Sequence, residues 1–214
     1  MAHHHWPLFD LRVTTPRLEL RYVDDELAVA LADLAVEGIH DPDAMPFGIP
    51  WTRQENLPQE YLKHHWRGRA ALRAEAWTIA LAVLEDGVPV GVQDLLAKDF
   101  AVTRAFETGS WLGRRFQGRG IGTEMRAAAV HLGFAGLGAD LAQTGAWHDN
   151  GPSQGVTRKL GYEPNGWTLL DREGTATRML RFHLPRERWE PNRRADIQLH
   201  GVDAVVDLLD AGAP

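Results

Sequence analysis

The apolar and polar positions change rhythm several times along the chain, and each rhythm predicts an element. Residues 15–23 alternate, with Leu18, Leu20 and Tyr22 on one side, as a half-buried strand does. Asp24, Asp25 and Glu26 follow as a cap and acidic first turn. Leu27, Ala30, Leu31 and Leu34 then recur at helical spacing, up to a stop at Gly38. Residues 41–58 hold Pro42, Pro46, Pro50 and Pro58 and no period, which predicts a long irregular loop of the kind that often carries function. A second helix is expected over 58–73, with Tyr61, Leu62, His65 and Trp66 on one side. Trp77–Leu84, a turn at Glu85-Asp86-Gly87 and Val88–Leu96 read as a β-hairpin. A strand over 106–113, a helix over 125–137 (Met125, Ala128, Ala129, Leu132), a strand over 139–147, a short helix over 153–160 and a strand over 178–184 follow. The tail predicts a strand, Ala195–His200, and a helix, Val202–Leu209. A meander that turns into strand–helix–strand–helix–strand implies a mixed α/β sheet.

The composition narrows the chemistry. The chain has 214 residues, which suits one domain with a short appendage. Lys and Arg total 23 against 29 Asp and Glu, a net charge of −6, which argues against a nucleic-acid or membrane-surface partner. There is no cysteine, so disulfides, thiolate metal sites and a cysteine nucleophile are excluded. The ten histidines include His3–His5 and His64-His65, but these lack the i, i+4 spacing of a helical zinc site, and no metal is expected. The eight tryptophans are expected to pack the core and loops. The N-terminus lacks the basic and apolar regions of a secretory signal, and no apolar run approaches the roughly 18 residues that span a bilayer. The cytoplasm is the expected location.

The most informative segment is Trp111-Leu-Gly-Arg-Arg-Phe-Gln117-Gly118-Arg119-Gly120-Ile121-Gly122-Thr123, which joins a strand to a helix. Glycines let the backbone approach a ligand, and amides at a helix N-terminus cradle an anion. Arg114, Arg115, Arg119 and Arg126 stand here against Glu124 alone, a local patch suited to a diphosphate. The loop does not match the Walker pattern G-x-x-x-x-G-K-S/T. It breaks the dinucleotide pattern G-x-G-x-x-G at Thr123.

It does match Q/R-x-x-G-x-G/A in full, and so resembles the coenzyme A loop of the GNAT N-acetyltransferase superfamily. A second stretch, Asn150-Gly-Pro-Ser153 followed by Lys159-Leu-Gly-Tyr162, is similar to that superfamily's N-x-x-S … K-L-G-F/Y region. Thr15-Pro-Arg17-Leu18-Glu-Leu20-Arg21 resembles the opening of the ribosomal-protein N-acetyltransferase branch, and the likeness spans about residues 14–190. Trp6–Arg12, Met45–Arg53 and Gly109–Gly113 further resemble an actinobacterial subgroup in which at least one relative accepts succinyl-CoA.

The resemblance implies an α/β fold (α+β), with a mixed, mostly antiparallel sheet flanked by helices and a splayed strand pair that holds acyl-CoA. It implies transfer of an acetyl or succinyl group from acetyl-CoA or succinyl-CoA to a primary amine, on a small molecule or a protein, by direct attack. Backbone at Trp111 and Leu112 would bind the pantetheine arm and thioester carbonyl. Amides of Gln117, Gly118, Arg119, Gly120, Ile121, Gly122 and Thr123 would hold the pyrophosphate, and Asn150 and Ser153 would lie beside the thiol. Where the superfamily often has a tyrosine acid this chain has Thr157, so Ser153 or water becomes the proton donor. Glu107, His148 and Asp149 are the candidate bases, and Asp149 is alternatively a helix cap.

Two other readings are weighed. Gly151-Pro-Ser153-Gln-Gly155 is a G-x-S-x-G sequence, with Asp171 and His183 or His200 downstream, as in a serine hydrolase. The second is an acyl-CoA-binding protein without catalysis. Met45, Phe47 and Trp51 are expected to wall an acceptor slot, with Arg53 a cation for a succinyl carboxylate. Residues 1–190 are expected to form the catalytic domain and 191–214 an extension available for self-association as a homodimer or higher oligomer.

Overall fold

A computed structural model describes residues 3–212. Among these residues nine strands form one sheet: β1 Arg12–Thr14, β2 Leu18–Tyr22, β3 Ala76–Glu85, β4 Val88–Lys98, β5 Ala105–Leu112, β6 Leu141–Trp147, β7 Glu163–Arg172, β8 Thr175–Pro185 and β9 Gln198–His200. Their order is β7-β8-β6-β5-β4-β3-β2-β1-β9. Every neighbouring pair is antiparallel except β5 and β6. The helices are α1 Asp25–Glu37, α2 Leu57–Ala71, α3 Phe100–Thr103, α4 Ile121–His131, α5 Gly151–Lys159, α6 Arg186–Trp189 and α7 Val202–Leu208. No helix is long and apolar enough to cross a membrane, and among the described residues no three His, Asp or Glu side chains gather as a metal site.

Local chemistry explains the long elements. The Asp24 carboxylate accepts from the Leu27 amide at 2.8 Å and starts α1. Asp86 and Gly87 both have positive φ, as the two-residue turn between β3 and β4 requires. The expected strand over 15–23 is shortened to Leu18–Tyr22, because Thr15 turns the chain: its hydroxyl accepts from the Leu18 amide at 2.9 Å, and β2 forms a hairpin with the preceding β1. The expected helix over 125–137 begins earlier, at Ile121, and ends in a π-turn over Leu132–Gly136. Gly133 lies in that turn, where a Cβ would fall 2.2 Å from the Phe106 ring.

Each face of the sheet has its own core. On one face α4 lays Met125, Ala128 and Ala129 against Ile79, Leu81, Val90, Leu95 and Phe106. On the other, α1 and α2 bring Leu27, Leu31, Ala35 and Tyr61 onto Ala80, Ala82, Val92 and Trp111.

The segment beyond residue 190 joins the same sheet and core. β9 pairs with β1, with Leu199 opposite Val13. Ile197, Val205, Leu209 and Ala211 are buried, and Arg104 donates to the Ala211 carbonyl at 3.0 Å. Burying three large aliphatic side chains contributes about 5 kcal/mol, comparable to a whole domain's stability. A chain ended at residue 190 is therefore expected to be insoluble or to lose its cooperative melt. A truncated chain melting within a few degrees of the full chain would show the tail to be an appendage.

Candidate active site

The parallel pair β5 and β6 stays together only as far as Thr108 and Thr144. Thr144 pins that point, its hydroxyl donating to the Thr108 carbonyl at 3.1 Å. Beyond it the strands part. Gly109 to Leu112 continue along β4, opposite Asp94 to Gly91, while Gly145 to Trp147 continue along β8, opposite Arg181 to Met179. The sheet thus opens into a V whose two inner edges have no strand partner.

The glycine loop leads from the end of β5 into α4. Gly118 and Gly120 take φ of 74° and 83°, conformations that side-chain-bearing residues adopt only with strain. No side chain caps α4, and the Thr123 amide turns back to the Gly120 carbonyl at 3.1 Å, which leaves the Ile121 and Gly122 amides available to an anion. The Gln117 side chain turns inward, donating to the carbonyls of Leu112 at 2.9 Å and Ile39 at 2.7 Å, and so braces the loop.

The arginine patch differs from the sequence expectation. Arg114 pairs with Asp41, Arg115 with Glu37 and Arg119 with Glu85, three acids contributed from elsewhere in the chain. Glu85 also binds Arg17, whose guanidinium reaches the Arg119 carbonyl at 3.2 Å. Arg126 is 5% exposed and faces inward, donating to Thr157 Oγ1 at 2.9 Å and Ser110 Oγ at 3.2 Å. Backbone amides rather than a free cationic cluster remain for a phosphate.

Around α5, Asn150 rather than Asp149 is the cap: its Oδ1 accepts from the Ser153 amide at 3.1 Å. Asp149 instead forms a two-pronged pair with Arg172, at 2.9 and 2.7 Å, and His148 is exposed. Ser153 is half-buried on the first turn of α5. Thr157 is fully buried, and its hydroxyl donates to the Ser153 carbonyl at 2.9 Å. The hydrolase constellation does not form. Asp171 accepts from the amide of Gly174 in the β7–β8 turn, and His183 sits 3.9 Å from Glu163.

Register places Asp94 and Gly109 opposite each other, with Leu96 and Glu107 the next pair on the same face. The Asp94 carboxylate lies 3.8 Å from where a Cβ on Gly109 would be, at the first splayed position. Burial pushes its pKa up to about 7. Tyr61 and His65 of α2 flank this region. The Tyr61 phenol is pushed well up by burial and by the Asp94 carboxylate, and burial pushes His65 down to about 3. Glu107 differs: its side chain is 49% exposed and lies 3.4 Å from Arg181. Reading the sequence overlooked Asp94. The available signal was an acid on the same side of its strand as Val92, in a run otherwise apolar at that face.

The loop before α2 roofs the V. Phe47, Trp51 and Trp111 stack in sequence, with centroids 5.3 and 5.8 Å apart. Trp147 donates to the Phe47 carbonyl at 3.1 Å, and Arg172 to the Met45 carbonyl at 2.9 Å. Arg53 pairs with Glu173 in the β7–β8 turn at 2.8 Å, so it ties the roof to the hairpin. A groove of about 540 Å³ runs along the same face, between Gly68 and Ala71 of α2 and Thr78, Leu96, Glu107 and Gln143 of the sheet.

A splayed parallel pair with an uncapped helix N-terminus after the first of its strands can now be compared with known proteins. The family model for the acetyltransferase (GNAT) domain matches residues 17–163. The chain belongs to the GNAT acetyltransferase family. Its fold is shared with RimL, a ribosomal alpha-N-protein acetyltransferase solved with coenzyme A, at a TM-score of 0.67 and 18% identity over 81% of this chain and 97% of that one. Mycobacterium smegmatis RimJ, solved with a CoA disulfide, gives 0.67 and 17% over 87% and 97%. A spermidine N-acetyltransferase SpeG chimera from Vibrio cholerae and hSSAT gives 0.66 and 12% over 81% and 98%. The GNAT fold expected from the glycine loop and the Asn150–Tyr162 stretch is the fold found.

Proposed function

We propose that this GNAT protein moves an acyl group, acetyl or succinyl, from coenzyme A to a primary amine by direct attack on the thioester. The observation that carries the reading is the meeting, at one opening in the sheet, of the uncapped start of α4 and the half-buried Asp94 beside Gly109. The residues fit such a donor. In the Gln117–Thr123 loop the amides of Gly118 to Gly122 hold the pyrophosphate, those of Gln117 and Thr123 being spent on the Arg114 and Gly120 carbonyls, and the free edge of β5 at Trp111 and Leu112 takes the pantetheine arm. Asn150 and Ser153 contact the coenzyme from α5.

An amine attacks only when neutral, so a base must take its proton. Asp94 has that role in our reading: a carboxylate titrating near 7 is poised to gain and lose a proton under ordinary conditions. Glu107 lies one register pair further along the groove, where it meets the body of the acceptor. The acceptor is a primary amine of a protein N-terminus or a small molecule; the fold neighbours include enzymes named for each.

A succinyl group brings a carboxylate that needs a cation. Arg53 is held by Glu173 at 2.8 Å, away in the β7–β8 turn; Arg181 is held more loosely, 3.4 Å from Glu107, and its nitrogen lies 3.2 Å from where a Cβ on Gly145 would be, across the V from Gly109. We assign that carboxylate to Arg181. Calorimetric titration with acetyl-CoA, succinyl-CoA and malonyl-CoA tests the reading. One-to-one binding of at least one thioester is expected, with Arg181→Met weakening only the dicarboxylic donors. Failure of all three to bind would overturn it.

A further inference from the structure

We propose that Ser110, held by Arg126, is the hydrogen-bond donor to the thiolate that leaves when the amine attacks. The inference rests on the acyl-CoA reading above and adds the group that supports the departing sulfur.

It follows from counting protons around one buried cation. Arg126 projects from α4 beneath the V, almost wholly buried, and it carries donors only. The one titratable neighbour that its surroundings offer is the buried Tyr162 phenol, which burial pushes up and so keeps neutral, and the Arg126 Nε has no hydrogen-bond partner. A guanidinium stays charged when buried, so an unpaired one is costly to keep and tends to mark a place where negative charge arises. Arg126 donates to two hydroxyl oxygens, Thr157 Oγ1 and Ser110 Oγ. A hydroxyl has one proton and two acceptor sites. Thr157 has committed its proton to the Ser153 carbonyl, so it has nothing left to donate. Ser110 has made no such commitment: it accepts from Arg126, and among the described residues no acceptor takes its proton.

Position completes the argument. Ser110 is half-buried and follows Gly109 at the start of the splayed segment, where β5 has lost its β6 partner. Asp94 approaches Gly109 from one face of the sheet; Arg126 approaches Ser110 from the face that carries α4. The base for the amine and the donor for the sulfur thus lie on opposite sides of the same two residues. In the step, the N–C bond forms and the C–S bond breaks with its electron pair passing to sulfur. The proton from nitrogen goes to Asp94. The sulfur departs as a thiolate, accepts the Ser110 O–H bond under the charge of Arg126, and is protonated by water after release. The Ser153 hydroxyl makes no hydrogen bond to this cation among the described residues, and Arg126 is a positioning residue that acts through Ser110.

The test needs no turnover. Coenzyme A and desulfo-coenzyme A, which lacks the thiol, are titrated calorimetrically between pH 6 and pH 9. The desulfo analogue cancels the contributions of Asp94, Glu107, Arg181 and Tyr162, which surround the V in both complexes. A site that stabilises the thiolate makes the preference for coenzyme A grow with pH, by about tenfold for each unit by which the bound thiol pKa falls. The wild type and Ser153→Ala are expected to show that growth, as is Ser110→Thr, which keeps the hydroxyl. Ser110→Ala and Arg126→Gln are expected to hold a constant ratio. A constant ratio in the wild type, with both ligands bound, would overturn the Ser110 inference and leave the acyl-CoA reading standing. Equal growth in Ser110→Ala would also overturn it. Binding of neither ligand would overturn both.

Discussion

Asp94→Asn is expected to lower kcat/KM for amine acylation by about 10²- to 10⁴-fold, the usual contribution of a positioned base. It is also expected to make the protein more stable at alkaline pH. Both effects come from one fact: burial holds this carboxyl protonated up to about pH 7. A base must be ionised to work, so wild-type activity rises with pH through about 7, and the variant loses that limb. The stability effect has the opposite sign. An unfolded aspartate titrates near 3.9, so between about pH 4 and pH 7 the folded chain binds a proton that the unfolded chain does not. The group's contribution is therefore most favourable below about pH 4 and is lost as pH rises through 7, where an ionised carboxylate must be kept in an apolar setting. Asparagine never ionises. Allowing for the partial solvent access of this side chain, its gain at pH 8 is on the order of 2 kcal/mol, or about 5 °C in Tm. At pH 4 the gain should vanish. Thermal melts at the two pH values and initial rates across pH 6 to 9 check both halves. A variant that keeps wild-type activity would remove Asp94 from the reaction and return the role to Glu107.

Gly120→Val is expected to weaken acyl-CoA binding by about 100-fold, or nearly 3 kcal/mol, while the chain still folds. Gly120 precedes α4 at φ 83°, where a β-branched residue is strained by about 1–3 kcal/mol. A Cβ there meets no protein atom closer than an Arg17 nitrogen at 3.8 Å, so the fold is not obstructed. The damage falls on the concave surface that the first-turn amides of α4 present to a phosphate. Gly91→Ala gives the contrast. Its Cβ would lie 2.2 Å from the Trp111 carbonyl oxygen, inside the β4–β5 ladder, so that variant should lose its cooperative melt. Calorimetry and melting of the two proteins separate ligand contact from folding. Unchanged affinity in Gly120→Val would place the anion elsewhere.

Which features were legible in the sequence depended on how local their causes are. The glycine loop could be read because strand, positive-φ glycines and helix start are consecutive, and its chemistry needs only backbone. The short helix over 153–160 could be read as well, but its start was misplaced: it begins at Gly151, and Asn150 rather than Asp149 caps it. The arginines of residues 114–126 could not be read correctly. Asp41, Glu37 and Glu85, which neutralise three of them, lie 34 to 78 residues away in the chain. β7 went unrecognised because nearly all of its residues are exposed, and a strand wet on both faces shows no alternation. Asp94 was hidden by its own strand: an isolated acid in a hairpin reads as a surface residue until α2 and the roof loop are laid over it.

The most direct test of the central claim is release of free thiol from acetyl-CoA or succinyl-CoA by the purified protein, with and without a panel of primary amines that includes a peptide N-terminus and a small polyamine. The account predicts thiol release that requires an amine, matches the amide formed mole for mole, and quickens as pH rises through about 7. No release with any donor and amine, or release that proceeds equally without amine, would contradict it.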